Sequence, residues 1–251
     1  MTAVAERTSR TPTFLDDLTP DSGLALRRWT PDEYRRMAFP AVFGPDERLD
    51  LADGEVAQRG AGVPRLFSRR DYYRLAELDI LAPDERTELI HGRVIKRMSP
   101  MGRPHSAGVG KTATALRSAF GDGYAVEDQV SLQLGSGLEP FPDVMVFLGT
   151  IDDYPDVPLA SDVLLLVEVS DTTLRYDRGT KAALYATDGI PEYWIVNLRA
   201  RTLEVRRQPE GGGYVSLDVY GEGEAVAPLA APTSRVRVAD LLPLARLGRD
   251  R

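Results

Sequence analysis

The chain has 251 residues, 43% of them hydrophobic and 27% charged, and its formal net charge is −7 at pH 7. This size and balance fit one sizeable domain with an extension, and the sequence contains no apolar run long enough to cross a bilayer. The absence of cysteine excludes disulfides and thiolate metal sites, and the N-terminus lacks the apolar segment of a secretory signal, so we predict a cytoplasmic protein.

The first part of the chain combines a polar segment with a duplication. Residues 1–26 are mostly polar and are broken by two prolines, which predicts a mobile tail. Residues 27–59 then align without gaps on residues 65–97, and 11 of the 31 positions from Trp29 to Arg59 are identical to their counterparts. Self-similarity at a fixed offset indicates that one structural unit occurs twice.

Each copy predicts a short helix, a turn at PDER and a strand. Thr30 and Ser68 are followed three residues later by an acid, which resembles the capping box that begins a helix. We interpret LDLADGEVAQ and TELIHGRVIK each as one strand, with a glycine that allows a bend. The first copy exposes apolar faces that an isolated helix and strand cannot bury, so we expect it to dock on the rest of the chain or on a partner subunit, for example by strand addition.

The remainder of the chain alternates helices and strands. Apolar residues recur along one face from His105 to Phe120, which predicts a helix, and a second helix is predicted over Tyr176–Thr187. Strands are predicted at 124–134, 142–148 and 162–170, followed by a hairpin at 192–208 and further strands. This order is typical of a mixed α/β fold with a central sheet.

The stretch HSAGVGKTATAL, residues 105–116, resembles a phosphate-binding loop in its GKT ending. The first glycine of that pattern is replaced by His105, and a proline-containing loop stands where the preceding strand should end. A nucleotide hydrolase is therefore the weaker hypothesis. We interpret GVGKT as part of an ordinary helix. We interpret His105 as a polar residue at the start of that helix, with a hydrogen bond near a functional site as the alternative.

Four charged residues lie on predicted core elements: Glu88, Asp143, Glu168 and Lys181. Glu168 lies within the apolar run VLLLVEVS, where an unpaired carboxylate would be costly. Three carboxylates can bind a hard divalent cation through oxygen, and a lysine can orient water or stabilise phosphoryl charge. The alternative interpretations are an internal salt-bridge cluster, or a plain i,i+4 helix pair of Asp177 with Lys181.

Several motifs in order resemble the Uma-two family, which is described as putative restriction endonucleases of the PD-(D/E)xK nuclease superfamily. They are TELIHGRVIKRMSP, the PHS that opens the next helix, FPDVMVF, LLLVEVSDTTLRYDRGTKAALYATDGIPEYWIVN and RTLEVRR. The resemblance covers about residues 65–245 and implies a restriction-endonuclease-like domain there, a central mixed sheet flanked by helices, with residues 1–64 as a tail plus a partial duplicate.

On the family pattern, Glu88, Asp143 and Glu168 match the three acids. The superfamily usually has its lysine two positions after the third acid, where this chain has Ser170. The family commonly has this lysine on the following helix, which corresponds to Lys181 in YDRGTK. The YW motif of the family matches residues 193–194, which we interpret as core packing.

The resemblance implies a DNA endonuclease that depends on Mg²⁺ or Mn²⁺. Asp143 and Glu168 are expected to bind the metal, Glu88 to support it, and Lys181 to assist catalysis. A homodimer is the default expectation, without membrane association. The acidic net charge, the absence of a basic run and Ser170 favour an alternative, a non-catalytic interaction module with the same fold. Asp50 corresponds to Glu88 in the first copy and is predicted not to be catalytic, because no second set of partners exists.

Overall fold

A computed structural model describes residues 13–98, 102–135, 137–154 and 156–244. Its helices are α1 (Pro31–Met37), α2 (Arg69–Glu77), α3 (Arg103–Phe120), α4 (Leu174–Tyr176), α5 (Ala182–Thr187) and α6 (Val238–Leu241), with a π-helical turn, Asp177–Lys181, between α4 and α5. Its strands are β1 (Leu24–Leu26), β2 (Leu49–Ala52), β3 (Glu55–Gln58), β4 (Thr87–Ile90), β5 (Arg93–Arg97), β6 (Tyr124–Asp128), β7 (Val144–Leu148), β8 (Val163–Ser170), β9 (Glu192–Asn197), β10 (Thr202–Glu210), β11 (Gly213–Gly221), β12 (Ala225–Val226) and β13 (Val236–Arg237).

A six-stranded mixed sheet in the order β11-β10-β9-β8-β7-β6 forms the centre of the molecule. Strands β8 and β9 run parallel, with Glu168 opposite Ile195, and the other neighbours pair antiparallel. Strand β8 is almost completely buried because helices cover both faces of the sheet. The predicted central mixed sheet is therefore confirmed, and Glu168 lies in its interior.

Helix α3 covers one face of this sheet and settles the question of the phosphate-binding loop. Val109 and Leu116 are buried against Val167 in one core cluster. A Cβ at Gly108 would lie 2.8 Å from a methyl carbon of Val169, so glycine permits close helix–sheet contact at this position. GVGKT thus belongs to the interior of a helix, as predicted.

Strand β6 is shorter than predicted. It ends at Asp128, because Gln129 has a φ of 57° and the chain leaves the sheet there. The remaining residues of the predicted strand run to Leu134, which is buried beside Leu132 outside the sheet ladder. Alternating apolar residues therefore indicated burial correctly but overstated the length of the strand.

The interpretation of one strand per copy is wrong, since each copy contains a hairpin. Strands β2 and β3 pair through a turn at Asp53 and Gly54, and β4 and β5 pair through His91 and Gly92. All four turn residues have positive φ, between 48° and 75°. An Asp-Gly pair between alternating residues is a strong signal for this tight turn, and it was present in the sequence.

The two copies pack against each other around an approximate two-fold axis. Trp29 and Phe67, which are equivalent positions, pack with ring centroids 5.3 Å apart and ring planes tilted by 45°. Their cluster contains Trp29, Met37, Phe43, Leu49, Val56, Phe67, Leu75, Ile80, Leu81, Leu89 and Val94. The predicted docking of the first copy on the rest of the chain is confirmed. It does not occur by strand addition, because β2 and β3 form a separate two-stranded sheet.

The prediction of a mobile tail is wrong for residues 13–26, and residues 1–12 lie outside the described residues. Two short 3₁₀ helices, Phe14–Asp17 and Pro20–Ser22, precede β1, which adds to the edge of β5. Asp17 binds Arg175 at 3.0 Å and accepts a hydrogen bond of 2.6 Å from Thr180. These long-range contacts order a segment whose local composition is polar. The division of the chain near residue 64 stays a prediction.

Across the described ranges, no helix combines the length and apolar character that a membrane span requires.

Candidate active site

Three of the four predicted site residues are in direct contact. Glu88 lies on β4, Glu168 lies on β8, and Lys181 ends the π-helical turn. The Lys181 Nζ atom is 2.8 Å from Glu88 Oε1 and 2.8 Å from Glu168 Oε1. Since the Lys181 side chain is only 2% exposed, this is a buried ion pair that links the second helix–hairpin copy to the central sheet.

Asp143, the fourth predicted residue, lies immediately before β7 and beside the end of β8. Its Oδ2 accepts a 2.8 Å hydrogen bond from the backbone N–H of Val169. Its Oδ1 is 3.1 Å from His105 Nε2. Because α3 packs closely on β8, the buried His105 reaches the carboxylate. His105 therefore lies at the start of the helix, as predicted, and the alternative that it forms a hydrogen bond near the site is confirmed as well.

The π-helical turn determines where Lys181 points. A π-helical turn contains one residue more than an α-helical turn and is frequent at functional sites. It is tethered at its beginning, where Thr173 Oγ1 donates to Asp177 Oδ2 at 2.6 Å and Tyr193 donates from its hydroxyl to the Asp177 carbonyl at 3.0 Å. After this turn, the side chains of Lys181 and Tyr185 both donate hydrogen bonds to Glu168.

Three further residues belong to the site and were not predicted as part of it. Tyr185 donates a 2.8 Å hydrogen bond to Glu168 Oε1, and Tyr176 donates one of 3.2 Å to Glu88 Oε2. Asp177 is buried and lines a narrow cavity together with Lys181 and Glu88. The signal in the sequence was helical spacing, since positions 177, 181 and 185 are four residues apart and share one helix face.

The YW motif packs in the core, as predicted. Trp194 is completely buried in the cluster under α3, and its ring N–H donates to Glu192 Oε1 at 2.9 Å. Tyr193 is buried on the opposite face of the sheet. Its hydroxyl also holds the π-helical turn, a positioning contact that the motif alone did not indicate.

Burial and mutual repulsion affect the acids of the site differently. Burial raises the pKa of Glu168 well above its ordinary value; Lys181 opposes this, while nearby Asp143, Asp177 and Glu88 add to it. Burial also opposes ionisation of Asp143, but the hydrogen bond and charge of His105 lower its pKa overall. Asp143 is thus held ionised, whereas ionisation of Glu168 depends on the nearby positive charge of Lys181.

The Lys181 ammonium is strongly stabilised. Burial by itself lowers its pKa, but the charges of Glu168, Glu88 and Asp177 outweigh this effect and raise the pKa above its ordinary value. Lys181 is therefore a permanent cation at neutral pH rather than a proton acceptor.

The donor set fits a divalent cation in its chemistry. The candidate ligands are carboxylate oxygens, which Mg²⁺ and Mn²⁺ prefer, and Asp143, Asp177 and Glu88 are close enough to Glu168 to add to the rise in its pKa that burial causes. Within the ranges that the structure describes, no three acidic, histidine or cysteine side chains converge on one point. Lys181 instead bridges two of the three acids, so a cation would have to share or displace these contacts.

A narrow cavity leads to these residues. Lys181, Glu88 and Asp143 line it together with Leu24 and Arg97. The N-terminal segment contributes Leu24 to the lining. Hydrogen bonds hold this segment in place: the Gly23 carbonyl accepts one of 2.7 Å from the backbone of residue 98, and the Ser22 carbonyl accepts one of 3.2 Å from the hydroxyl of residue 172.

Comparisons with known proteins agree with this architecture. Residues 69–239 match the family model Uma2, described as "Putative restriction endonuclease". A solved structure, described as a putative nuclease belonging to DUF820 from Anabaena variabilis, is similar with a TM-score of 0.54 and 18% identity, over 70% of this chain and 97% of that chain. No curated protein matches the sequence. The restriction-endonuclease-like fold is therefore confirmed.

Proposed function

The chain belongs to the Uma2 family of putative restriction endonucleases, and from that premise we propose that it is a DNA endonuclease that uses Mg²⁺ or Mn²⁺ to hydrolyse phosphodiester bonds. The contact of Lys181 with Glu88 and Glu168 is the observation that supports this proposal most directly. A buried lysine joined to two acids, with Asp143 beside the same cavity, provides both a cation-binding donor set and a positive charge for a phosphate.

In this proposal Asp143 and Glu168 hold the cation, and Glu88 supports it directly or through water. A bound divalent cation polarises the phosphodiester and lowers the pKa of its water. His105 and the Val169 N–H hold Asp143 in one orientation and keep it ionised. This fixed carboxylate would cost little reorganisation when substrate and cation arrive.

Lys181 acts as an electrostatic group. Because its pKa is raised, it remains an ammonium and stabilises the negative charge that develops on the phosphoryl oxygens. Tyr185 shares Glu168 Oε1 with Lys181 and keeps this carboxylate in place. Arg97 lines the same cavity and adds positive potential that compensates locally for the acidic net charge of the protein.

Nicking of supercoiled plasmid DNA is the direct test. We expect nicking with Mg²⁺ or Mn²⁺ but not with EDTA, and loss of nicking in Glu168→Ala and in Lys181→Ala. The matched control is Asp50→Ala, since Asp50 is the exposed counterpart of Glu88 and pairs with Arg59. Wild-type activity in both site variants would show that the nicking comes from a contaminant.

A second candidate function, a non-catalytic interaction module, is favoured by one observation. Lys181 pairs with both Glu88 and Glu168, so a side chain of the protein itself compensates part of the negative charge of these acids. Calorimetric titration with Mn²⁺ separates the two candidates. The nuclease proposal predicts binding that Asp143→Ala abolishes, whereas an interaction module predicts no binding to either protein.

A further inference from the structure

Strand β11 has a nearly palindromic sequence, GYVSLDVYG. Around Leu217 the flanking pairs are Val215 with Val219, tyrosine with tyrosine, and glycine with glycine; only the innermost pair, Ser216 and Asp218, differs. An antiparallel strand that pairs with an identical strand about a two-fold axis places each residue opposite its counterpart from the other side of the centre. In a palindromic strand, this pairing places like residues opposite each other.

This strand forms an edge of the central sheet. Strand β10 pairs along one side of β11, and no strand of the described residues pairs along its other side. Natural edge strands are usually short or carry Lys, Pro or bulges that prevent pairing. The opposite edge, β6, has only five residues and ends at Asp128, which pairs with Arg117. Strand β11 has nine residues and contains no lysine, arginine or proline.

The edge also carries an exposed apolar row. Val215, Leu217 and Val219 are 64%, 50% and 58% exposed and alternate along one face. On the neighbouring strand β10, Glu204 lies opposite Val219 and Arg206 lies opposite Leu217. The hydroxyl of Tyr214 donates to the Ile190 carbonyl at 3.0 Å, which anchors the start of the strand. The edge is therefore preformed, long and apolar.

We propose that β11 pairs antiparallel with β11 of a second copy of this chain, so that two six-stranded sheets become one continuous sheet. The two-fold axis passes through Leu217, which faces the partner subunit's Leu217. Val215 then faces the partner's Val219, and Ser216 faces the partner's Asp218. The register brings apolar residues together and places no like charges directly opposite each other.

The sequence favours a second copy over an unrelated strand as the occupant. An unrelated strand would need no palindrome, whereas self-pairing uses all of it. A shift of the register by two residues toward the C-terminus would place Asp218 opposite the partner's Asp218, which is unfavourable. The charge pattern disfavours that register, and the palindrome favours the register centred on Leu217, in which the apolar residues face each other. This dimer does not depend on the proposed nuclease activity.

Analytical ultracentrifugation of the full chain over a wide concentration range tests the proposal. We expect a concentration-dependent species of twice the 27.6 kDa monomer mass. Leu217→Lys and Leu217→Glu should each raise the dissociation constant by more than about tenfold, because like charges then meet at the axis. An equimolar mixture of the two variants should restore dimers, since opposite charges face each other.

The matched control is Leu148→Lys, at an exposed leucine on β7 in the same sheet, which should dimerise like the wild type. A wild-type protein that stays monomeric at every concentration overturns the proposal. Dimerisation that neither substitution at position 217 weakens also overturns it. A mixture of the two variants that stays monomeric overturns it as well. Circular dichroism of each variant checks that the fold is retained, and none of these readings depends on nicking.

Discussion

The two helix–hairpin copies share one fold and one core, but only the second lies at the candidate site. Glu88 contacts Lys181, Tyr176 and the backbone N–H of residue 141. Its counterpart Asp50 is about half exposed and pairs with Arg59 at 2.9 Å. The same position therefore lies at the candidate site in one copy and forms a surface ion pair in the other, because the neighbouring elements differ.

The copies have also diverged to fit each other. Arg27 of the first copy binds Glu85 of the second, and the equivalent Arg65 of the second binds Glu47 of the first. On the approximate axis, Arg93 lies 3.0 Å from Glu55, its own counterpart. An interface between identical units would place like residues together there, so the opposite charges indicate that the first copy is adapted to this intramolecular position.

The largest expected contrast between the copies is in activity. Glu88→Gln should reduce nicking on the order of 1000-fold, since it removes a charge next to Lys181 and the proposed cation. Asp50→Asn should leave nicking unchanged. Initial rates on supercoiled plasmid at saturating Mn²⁺ measure both. Equal losses in the two variants would mean that the first copy contributes to catalysis.

The shared core predicts that the copies contribute similarly to stability. Trp29→Ala and Phe67→Ala should each lower the free energy of unfolding by about 3 kcal/mol, because both side chains are buried against each other. Denaturant titration measures this, with Val63→Ala at an exposed position as the control. A change in Trp29→Ala no larger than in the control would indicate that the first copy is loosely attached.

A smaller effect is expected from the reciprocal ion pairs. Arg27→Ala should cost about 2 kcal/mol, since Arg27 and Glu85 are both largely buried. Arg65→Ala should cost about 1 kcal/mol, because Glu47 is 33% exposed and partly solvated once its partner is lost. Chemical denaturation measures the free energy of unfolding of both variants. A larger loss for Arg65→Ala than for Arg27→Ala would contradict the prediction.

The smallest predicted effect is a pH dependence in the first copy. Burial opposes ionisation of Glu33, but hydrogen bonds from Arg27 and Thr30 lower its pKa from 4.5 to about 2. A lowered folded-state pKa stabilises the protein above the unfolded value, and this contribution is lost as the pH falls from about 4.5 to about 2. Glu33→Gln should therefore flatten the decline of melting temperature across that range. An unchanged slope would exclude this contribution.

The sequence alone determined the elements whose signals are local. The capping residues Thr30 and Ser68 begin the predicted helices, and the apolar periodicity of α3 and the apolar run of β8 are borne out. The resemblance to a nuclease family selected Glu88 and Lys181, which the fold brings into contact. The sequence signal for the hairpin turn at Asp53 and Gly54 is also local, but the interpretation of Gly54 as a bend within one strand does not predict this turn.

Only the tertiary structure decided which side chains meet. His105 and Asp143 are 38 residues apart, and Tyr176 and Glu88 are 88 apart, so no local pattern could indicate either contact. The defined conformation of residues 13–26 likewise depends on contacts with residues far along the chain. Local sequence limits the backbone conformations of a segment, but side-chain contacts form only after distant elements pack, and the free energy of that packing is shared over the whole core.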